Sequence, residues 1–96
     1  IDLRKDSSTF MKESVYHISA SSEYSLYIPS GFAHGYFTLE DHTCFQYAVD
    51  RPYRAASERS LSIYDPKLNI TEDFKGALFS PKDLASQSFN EIEDEL

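Results

Sequence analysis

The sequence predicts an all-β domain, built as an antiparallel sandwich or a barrel. Apolar and polar residues alternate with a period of two over most of the chain, which is typical of half-buried strands. Turn-forming clusters separate these segments at short, regular intervals, and helical patterns are confined to two places. The predicted strands are Ile1–Arg4, Ser14–Ser19, Tyr24–Ile28, Ala33–Leu39, Thr43–Val49 and Arg59–Tyr64.

Polar clusters mark the connections between these strands. They are Asp6-Ser7-Ser8, Ser21-Ser22-Glu23, Pro29-Ser30-Gly31, Glu40-Asp41 and Arg51-Pro52. One helical turn is possible at Ala55–Glu58. A short C-terminal helix is predicted after Ser80, because a serine cap, Pro81 at the first helical position and Asp83 three residues after the cap form a capping pattern. The stretch from Asp65 to Gly76 is expected to be a surface connection.

Length and charge limit the classes of function. Ninety-six residues form one domain at most, and we expect a domain at residues 1–89 followed by an acidic C-terminal tail at 90–96. A net charge of −7 argues against nucleic acid and against anionic membranes as partners. The single cysteine, Cys44, indicates a reducing compartment, so a cytoplasmic location is expected. No apolar run approaches the roughly 18 residues of a membrane span.

The predicted hairpin of strands 33–39 and 43–49 contains the most informative pair of side chains. A two-residue loop at Glu40-Asp41, the commonest hairpin connection, places His34 opposite Tyr47 on one face. A loop longer by one residue would place them on opposite faces. In the favoured register the shared face is aromatic and largely apolar with a few polar groups, as expected of a ligand-holding cavity.

Each candidate site residue has a structural alternative. His34 and Tyr47 could form an acid–base pair, or they could be a packed aromatic pair whose polar atoms find hydrogen bonds. Asp83 could orient an imidazole, or it could serve only the helix cap. Tyr53 could stack on a base or sugar, or it could be an ordinary loop aromatic. The arginines could bind phosphate or simply form ion pairs; they are Arg4, Arg51, Arg54 and Arg59. The three histidines and Cys44 follow no metal-ligand spacing.

Four segments together resemble the dTDP-4-dehydrorhamnose 3,5-epimerase family in order and spacing. They are Asp2-Leu3-Arg4-Lys5-Asp6-Ser7-Ser8-Thr9-Phe10, Leu26-Tyr27-Ile28-Pro29-Ser30-Gly31-Phe32-Ala33-His34-Gly35-Tyr36, Asp65-Pro66-x-Leu68-x-Ile70 and Ser80-x-x-Asp83. The resemblance runs to about Phe89, with a small deletion near Phe74–Gly76. It implies a cupin-like jelly roll, truncated at its N-terminus, that works as a homodimer on a dTDP-linked 4-keto-6-deoxysugar without metal or organic cofactor.

The resemblance also implies roles for individual residues. Tyr47 matches the tyrosine that returns a proton to the sugar, and Asp83 matches the aspartate that pairs with the basic histidine. Among substrate-binding residues, His34 matches a histidine of the sugar pocket and Tyr53 an aromatic near the nucleotide. Arg4 is a further candidate substrate-binding residue, as a possible phosphate contact, from the chemistry of its side chain and not from the resemblance.

One family motif, Arg-Gly-x-His-x-Gln, carries the basic histidine and does not occur in the 96 residues. We therefore expect the C-terminal part of an epimerase of dTDP-rhamnose-type sugar biosynthesis that does not epimerise by itself. The alternative is a non-catalytic sugar-nucleotide-binding or interaction module derived from the family. Truncation further predicts exposed sheet edges that a second chain would cover.

Overall fold

The computed structural model describes residues 1–96, and its regular secondary structure consists of short helices. Three are single 3₁₀ turns, at Ala55–Ser57, Pro66–Leu68 and Glu93–Glu95. Two are α-helical turns, α1 at Pro81–Leu84 and α2 at Phe89–Ile92. The β structure is limited to two isolated bridges, an antiparallel one between Asp2 and Phe32 and a parallel one between Leu61 and Gln87.

The predicted cupin-like jelly roll, or antiparallel β-sandwich, is therefore wrong for this chain, since the structure contains no sheet. The chain forms 22 backbone–backbone hydrogen bonds, whereas a folded domain of this length forms roughly 60 to 70. None of them joins segments 33–39 and 43–49. Alternating side chains define the two faces a strand would have, but a strand also needs a neighbour for its ladder, and the local pattern does not supply one.

Four of the five predicted turns are present even though the strands between them are not paired, and the fifth, at Arg51-Pro52, is a bend. Turns occur at 20–21, 30–31 and 41–42, within a residue of the predicted clusters. Gly31 has φ of +91° and His42 has φ of +58°, so both adopt the left-handed conformation that tight turns often require. The C-terminal helix is also confirmed: the Ser80 side chain accepts a hydrogen bond from the Asp83 N–H of α1 at 3.1 Å.

A network centred on Asp2 organises the first twelve residues. The Asp2 carboxylate is buried and accepts hydrogen bonds from the Arg4 guanidinium, from the Arg4 N–H and from the hydroxyls of Ser7 and Thr9. Its backbone carbonyl accepts from the Met11 N–H at 2.7 Å, which closes the loop. Because every buried carboxylate oxygen has a partner, this charge is held in the interior without an unsatisfied polar atom.

The buried apolar residues are Leu68, Phe89 and Ile92. Asp65 links their elements, since its carboxylate accepts from the Lys67 N–H at 2.8 Å, at the start of the 3₁₀ turn, and from the Phe89 N–H at 2.6 Å, at the start of α2. The predicted surface connection thus contains a core residue, Leu68. The expected start of the acidic tail at residue 90 falls inside α2, where Ile92 is buried and the acidic residues at 91, 94 and 95 are exposed.

Candidate functional site

The structure does not bring His34 and Tyr47 together as a hydrogen-bonded pair. The His34 side chain is exposed, and Tyr47 is 74 % exposed. Tyr47 instead contacts the Phe45 ring, with 5.8 Å between the ring centroids. Gly35, beside His34, has no atom within 4 Å of the position that a β-carbon would occupy, so nothing approaches the backbone at that point.

One contact nevertheless connects the two segments of the predicted hairpin. The rings of Tyr36 and Phe45 stack with their centroids 3.7 Å apart and their planes inclined by 10°. Tyr36 and Phe45 face each other in the register that a two-residue loop would produce. One side-chain contact of that register is therefore formed, although the two segments share no ladder of backbone hydrogen bonds.

The sequence candidate with the most developed surroundings is Tyr53. It lies in a solvent-open concavity of about 700 Å³. The lining residues are Arg51, Pro52, Tyr53, Arg54, Ser57 and Glu58. An exposed aromatic face between two guanidinium-bearing residues can stack on a planar base while the arginines bind phosphate oxygens.

The Tyr53 phenol has a fixed partner. Its Oη donates a hydrogen bond of 2.6 Å to Oε2 of Glu58. The other oxygen of that carboxylate, Oε1, is paired with Nζ of Lys82, in α1. Glu58 therefore joins the loop that carries Tyr53 to the helix that carries the next candidate, Asp83.

The charges in this group stabilise one another. The ammonium of Lys82 and then the phenol of Tyr53 hold the pKa of Glu58 below its usual value. The hydrogen bond to Glu58, followed by partial burial, raises the pKa of Tyr53, and the same carboxylate raises the pKa of Lys82. At neutral pH the group is thus an ion pair with a protonated phenol, and the Lys82 charge offsets that of Glu58 close to the two arginines.

Asp83 and Arg4 have local partners outside this concavity. Asp83 is exposed and occupies the third position of the Ser80-capped helix, where its backbone N–H donates a hydrogen bond to the Ser80 side chain. The Arg4 guanidinium binds the Asp2 carboxylate and lies 4.7 Å from the centre of the Phe32 ring. Neither side chain lines the Tyr53 concavity.

Sequence reasoning did not single out Glu58 or Lys82 as site residues. They are 24 positions apart and belong to different elements, so no local pattern relates them. Only the match between opposite charges on two short helical segments could have suggested a pairing. No three acidic, cysteine or histidine side chains converge in a geometry suited to a metal ion. No helix has the length and apolar character required to cross a membrane.

Comparison with known proteins decides the family. Residues 1–91 match the sequence profile described as dTDP-4-dehydrorhamnose 3,5-epimerase. The chain belongs to the dTDP-4-dehydrorhamnose 3,5-epimerase family. The resemblance inferred from four short segments is thereby confirmed over almost the whole chain.

Individual family members match at moderate identity. A dTDP-4-dehydrorhamnose 3,5-epimerase of Shigella flexneri is 37 % identical over 89 residues, which are 93 % of this chain and 49 % of that protein. A protein of the same name from Neisseria gonorrhoeae is 37 % identical over 97 % of this chain and 29 % of its own length. One from Sinorhizobium fredii is 33 % identical over 96 % of this chain and 48 % of its own length. The chain thus spans about half the length, or less, of these relatives. No solved structure matches it.

Proposed function

We propose that this chain is the part of a dTDP-4-keto-6-deoxysugar 3,5-epimerase that binds the nucleotide and supplies the proton donor. The observation that carries the proposal is the family match over residues 1–91. The names of the relatives support a dTDP-linked substrate, and a dTDP-rhamnose-type sugar is the first choice because most of them are named dTDP-4-dehydrorhamnose 3,5-epimerase.

Inversion next to a ketone requires two proton transfers on opposite faces of the sugar ring. A histidine base removes the proton from the carbon beside the C4 carbonyl, and the electron pair of the broken C–H bond forms an enolate. The Tyr47 phenol then donates its proton to the other face of the same carbon, which restores the ketone with the centre inverted. The reaction leaves a protonated base and a tyrosinate, and exchange with water returns both to their starting states.

The base in this scheme belongs to the family's Arg-Gly-x-His-x-Gln motif, which is not among the 96 residues. Asp83 would hold that histidine in the tautomer that accepts the sugar proton. His34 would line the sugar pocket and, with neighbouring donors, stabilise the negative charge on the enolate oxygen. By this assignment the 96-residue chain contributes the acid side of the reaction and binds substrate, but does not invert it alone.

The nucleotide end of the substrate is assigned to the Tyr53 concavity. Stacking on Tyr53 would hold the thymine, while Arg51 and Arg54 would bind the diphosphate. The concavity carries two positive charges, because the Glu58 charge is balanced by Lys82. That charge favours a diphosphate despite the overall negative charge of the chain.

One observation favours a second candidate function, a non-catalytic module that binds sugar nucleotide. Tyr47 is 74 % exposed and has no hydrogen-bond partner to orient its phenol. A proton donor needs a dry, oriented position to act efficiently, whereas nucleotide binding at Tyr53 makes no such demand.

Solvent deuterium distinguishes these functions. The chain is incubated in D₂O with dTDP-4-keto-6-deoxyglucose, and deuterium at C3 and C5 is read by mass spectrometry while binding is measured by calorimetry. We expect saturable binding without inversion. Inversion by the 96-residue chain at a rate lowered by Tyr47→Phe would contradict the assignment of the base to another segment. Absence of both binding and exchange would leave an interaction module. A cytoplasmic location and assembly into a dimer or larger oligomer remain part of the proposal.

A further inference from the structure

A second solvent-open cavity, of about 460 Å³, is not used by any of the roles assigned above. It shares no lining residue with the Tyr53 concavity. Its walls include three aromatic and three charged side chains, which are those of Tyr64, Phe74, Phe79, Glu72, Asp73 and Lys75. We propose that this cavity, called the Phe79 cavity below, binds a small organic cation that carries its charge on a methylated ammonium group.

The three aromatic rings of the Phe79 cavity are steeply inclined to one another. The Phe79 ring contacts the Tyr64 ring, with 5.7 Å between centroids and 57° between planes. It also contacts the Phe74 ring, with 6.3 Å between centroids and 67° between planes. Rings inclined in this way form walls around a space, whereas parallel rings would stack and fill it. Because a cation is attracted to the face of an aromatic ring, such walls can form the aromatic cage that binds methylated ammonium groups.

The loop that carries Phe74 is held in place by the chain itself. The Ala77 N–H donates a hydrogen bond of 3.0 Å to the Phe74 carbonyl, and Gly76 supplies the left-handed conformation of that turn with φ of +81°. The Phe37 ring meets the Phe74 ring edge-on, with 5.6 Å between centroids. The wall formed by Phe74 is therefore in place before a ligand binds, which lowers the entropic cost of binding.

The charges around the Phe79 cavity favour a cation over a neutral ligand. Glu72 and Asp73 contribute two carboxylates and Lys75 contributes one ammonium, so the lining has an excess of one negative charge. The Lys75 ammonium forms no ion pair with either carboxylate. The chain as a whole carries a net charge of −7, which raises the concentration of cations near its surface.

Both carboxylates can still interact with a bound cation. Oδ1 of Asp73 accepts a hydrogen bond of 2.9 Å from the Lys75 N–H, and Oδ2 accepts none within the chain. Oε1 of Glu72 lies 3.8 Å from Nε2 of His17, which is too far for a hydrogen bond. The carboxylates thus attract the positive charge, and the rings provide the contact surface.

The ligand test separates charge, methylation and shape. Choline is the probe, and its neutral tert-butyl analogue, in which carbon replaces the nitrogen, has the same shape without the charge. Ethanolamine has the charge without the methyl groups. Binding of each compound to the 96-residue chain is measured by calorimetry and by NMR titration. We expect saturable choline binding in the millimolar range, with weaker binding of both analogues.

The protein variants test the rings and the charges separately. They are Tyr64→Ala, Tyr64→Phe, Glu72→Gln, Asp73→Asn, Lys75→Met and, as a control outside the cavity, Tyr27→Ala. Tyr64 is 66 % exposed and Tyr27 is 85 % exposed, so neither substitution removes a core side chain. Far-UV circular dichroism checks that each variant keeps the wild-type structure.

The variants should shift choline affinity in opposite directions. Tyr64→Ala should weaken binding about two- to fivefold, the contribution of one cation–π contact at an exposed site. Tyr64→Phe and Tyr27→Ala should bind like the wild type, since the first keeps the ring and the second lies elsewhere. Removing either carboxylate should weaken binding about twofold, and Lys75→Met should strengthen it by a similar factor.

Three results overturn the inference. The first is a wild-type chain that shows no saturable choline binding. The second is equal binding of choline and its tert-butyl analogue, which would show that the cavity selects an apolar shape. The third is a Tyr64→Ala variant that binds choline as the wild type does. None of them affects the proposed nucleotide site, because the two cavities share no lining residue.

Discussion

The guanidinium of Arg4 donates hydrogen bonds to both carboxylate oxygens of Asp2, with Nε 2.9 Å from Oδ1 and Nη2 2.8 Å from Oδ2. Asp2 is 1 % exposed, and Ser7 and Thr9 add two more donors. Four hydrogen-bonding groups around one carboxylate explain why residues 1–12 fold back on themselves without a helix or strand. Arg4, the arginine expected to meet a phosphate, thus also has a structural partner in this loop.

Replacing Asp2 by Asn should reduce stability at neutral pH and flatten its dependence on acid. The Arg4 guanidinium first, and then Ser7 and Thr9, hold the pKa of Asp2 well below its ordinary value of 3.8. Such a carboxylate contributes stability above its unfolded pKa and loses that contribution as the pH falls below it. The free energy of unfolding measured in urea should therefore fall for the wild type as the pH is lowered from about 5 to about 2. The slope should be shallower in Asp2→Asn.

A residual slope is expected in that variant, because backbone donors also hold the pKa of Asp65 below its usual value. Asp6→Asn, in the same loop but exposed, is the matched control and should keep the wild-type slope. Equal slopes for wild type and Asp2→Asn would contradict the role given to the network.

Gly31→Ala should destabilise the chain. Gly31 has φ of +91°, and a β-carbon there would lie 2.6 Å from Cγ of Arg4. The left-handed backbone alone costs a non-glycine residue about 1 kcal/mol or more, and the close contact adds to that cost. Gly35→Ala is the control, since a β-carbon there meets nothing within 4 Å. Denaturant unfolding of both variants checks the difference, and equal midpoints would be the contrary result.

The small apolar core should be sensitive at Leu68. This side chain is 2 % exposed, so Leu68→Ala should lower the free energy of unfolding by about 2–5 kcal/mol through lost burial and the cavity left behind. Leu78 is fully exposed, and Leu78→Ala should change the free energy by no more than about 0.5 kcal/mol. A Leu68→Ala variant as stable as Leu78→Ala would place the core elsewhere.

Self-association is the fourth prediction. Thirteen large apolar side chains between residues 15 and 49 are exposed, including Tyr27 at 85 %. The expected sheet edges are not present, but this apolar surface gives the chain a comparable reason to associate. Light scattering should give a mass at least about twice the 11.0 kDa of one chain.

A charged substitution tests whether this surface is responsible. Tyr27→Lys should shift the protein toward the monomer, while Leu78→Lys, outside the stretch, should not. A monodisperse wild-type monomer would be contrary to the prediction.

What could be predicted from the sequence was local. The Ser80 cap, the turn at Gly31 and the helical turn near Ala55 depend on residues within a few positions of one another, and the structure has all three. The sheet was predicted wrongly because strand pairing depends on distant partners, which a period-two pattern does not identify. The predicted register does place Tyr36 opposite Phe45, and these two rings stack in the structure, but no backbone ladder accompanies that contact.

For the candidate site, too, the sequence indicated single residues but not the pairing between distant segments. The sequence indicates Tyr53 as a possible stacking surface for a base or sugar, and the structure places it beside Arg51 and Arg54 in one concavity. Glu58 and Lys82 were not identified, because their pairing joins two segments that the sequence does not relate. Arg4 is a candidate phosphate contact from the chemistry of its side chain, and its pairing with Asp2 could not be predicted because it depends on a loop closure that no motif indicates.

The most direct test of the catalytic assignment is a chimera in which this chain replaces the matching half of the Shigella flexneri epimerase. The resulting protein would contain that enzyme's remaining segment and the Tyr47 and Asp83 of this chain. We predict that it incorporates solvent deuterium into dTDP-4-keto-6-deoxyglucose with inversion, and that Tyr47→Phe slows inversion by about 10²- to 10⁴-fold, the usual contribution of a general acid. A folded chimera that binds dTDP but exchanges no deuterium, or one whose inversion is indifferent to Tyr47→Phe, would contradict the assignment.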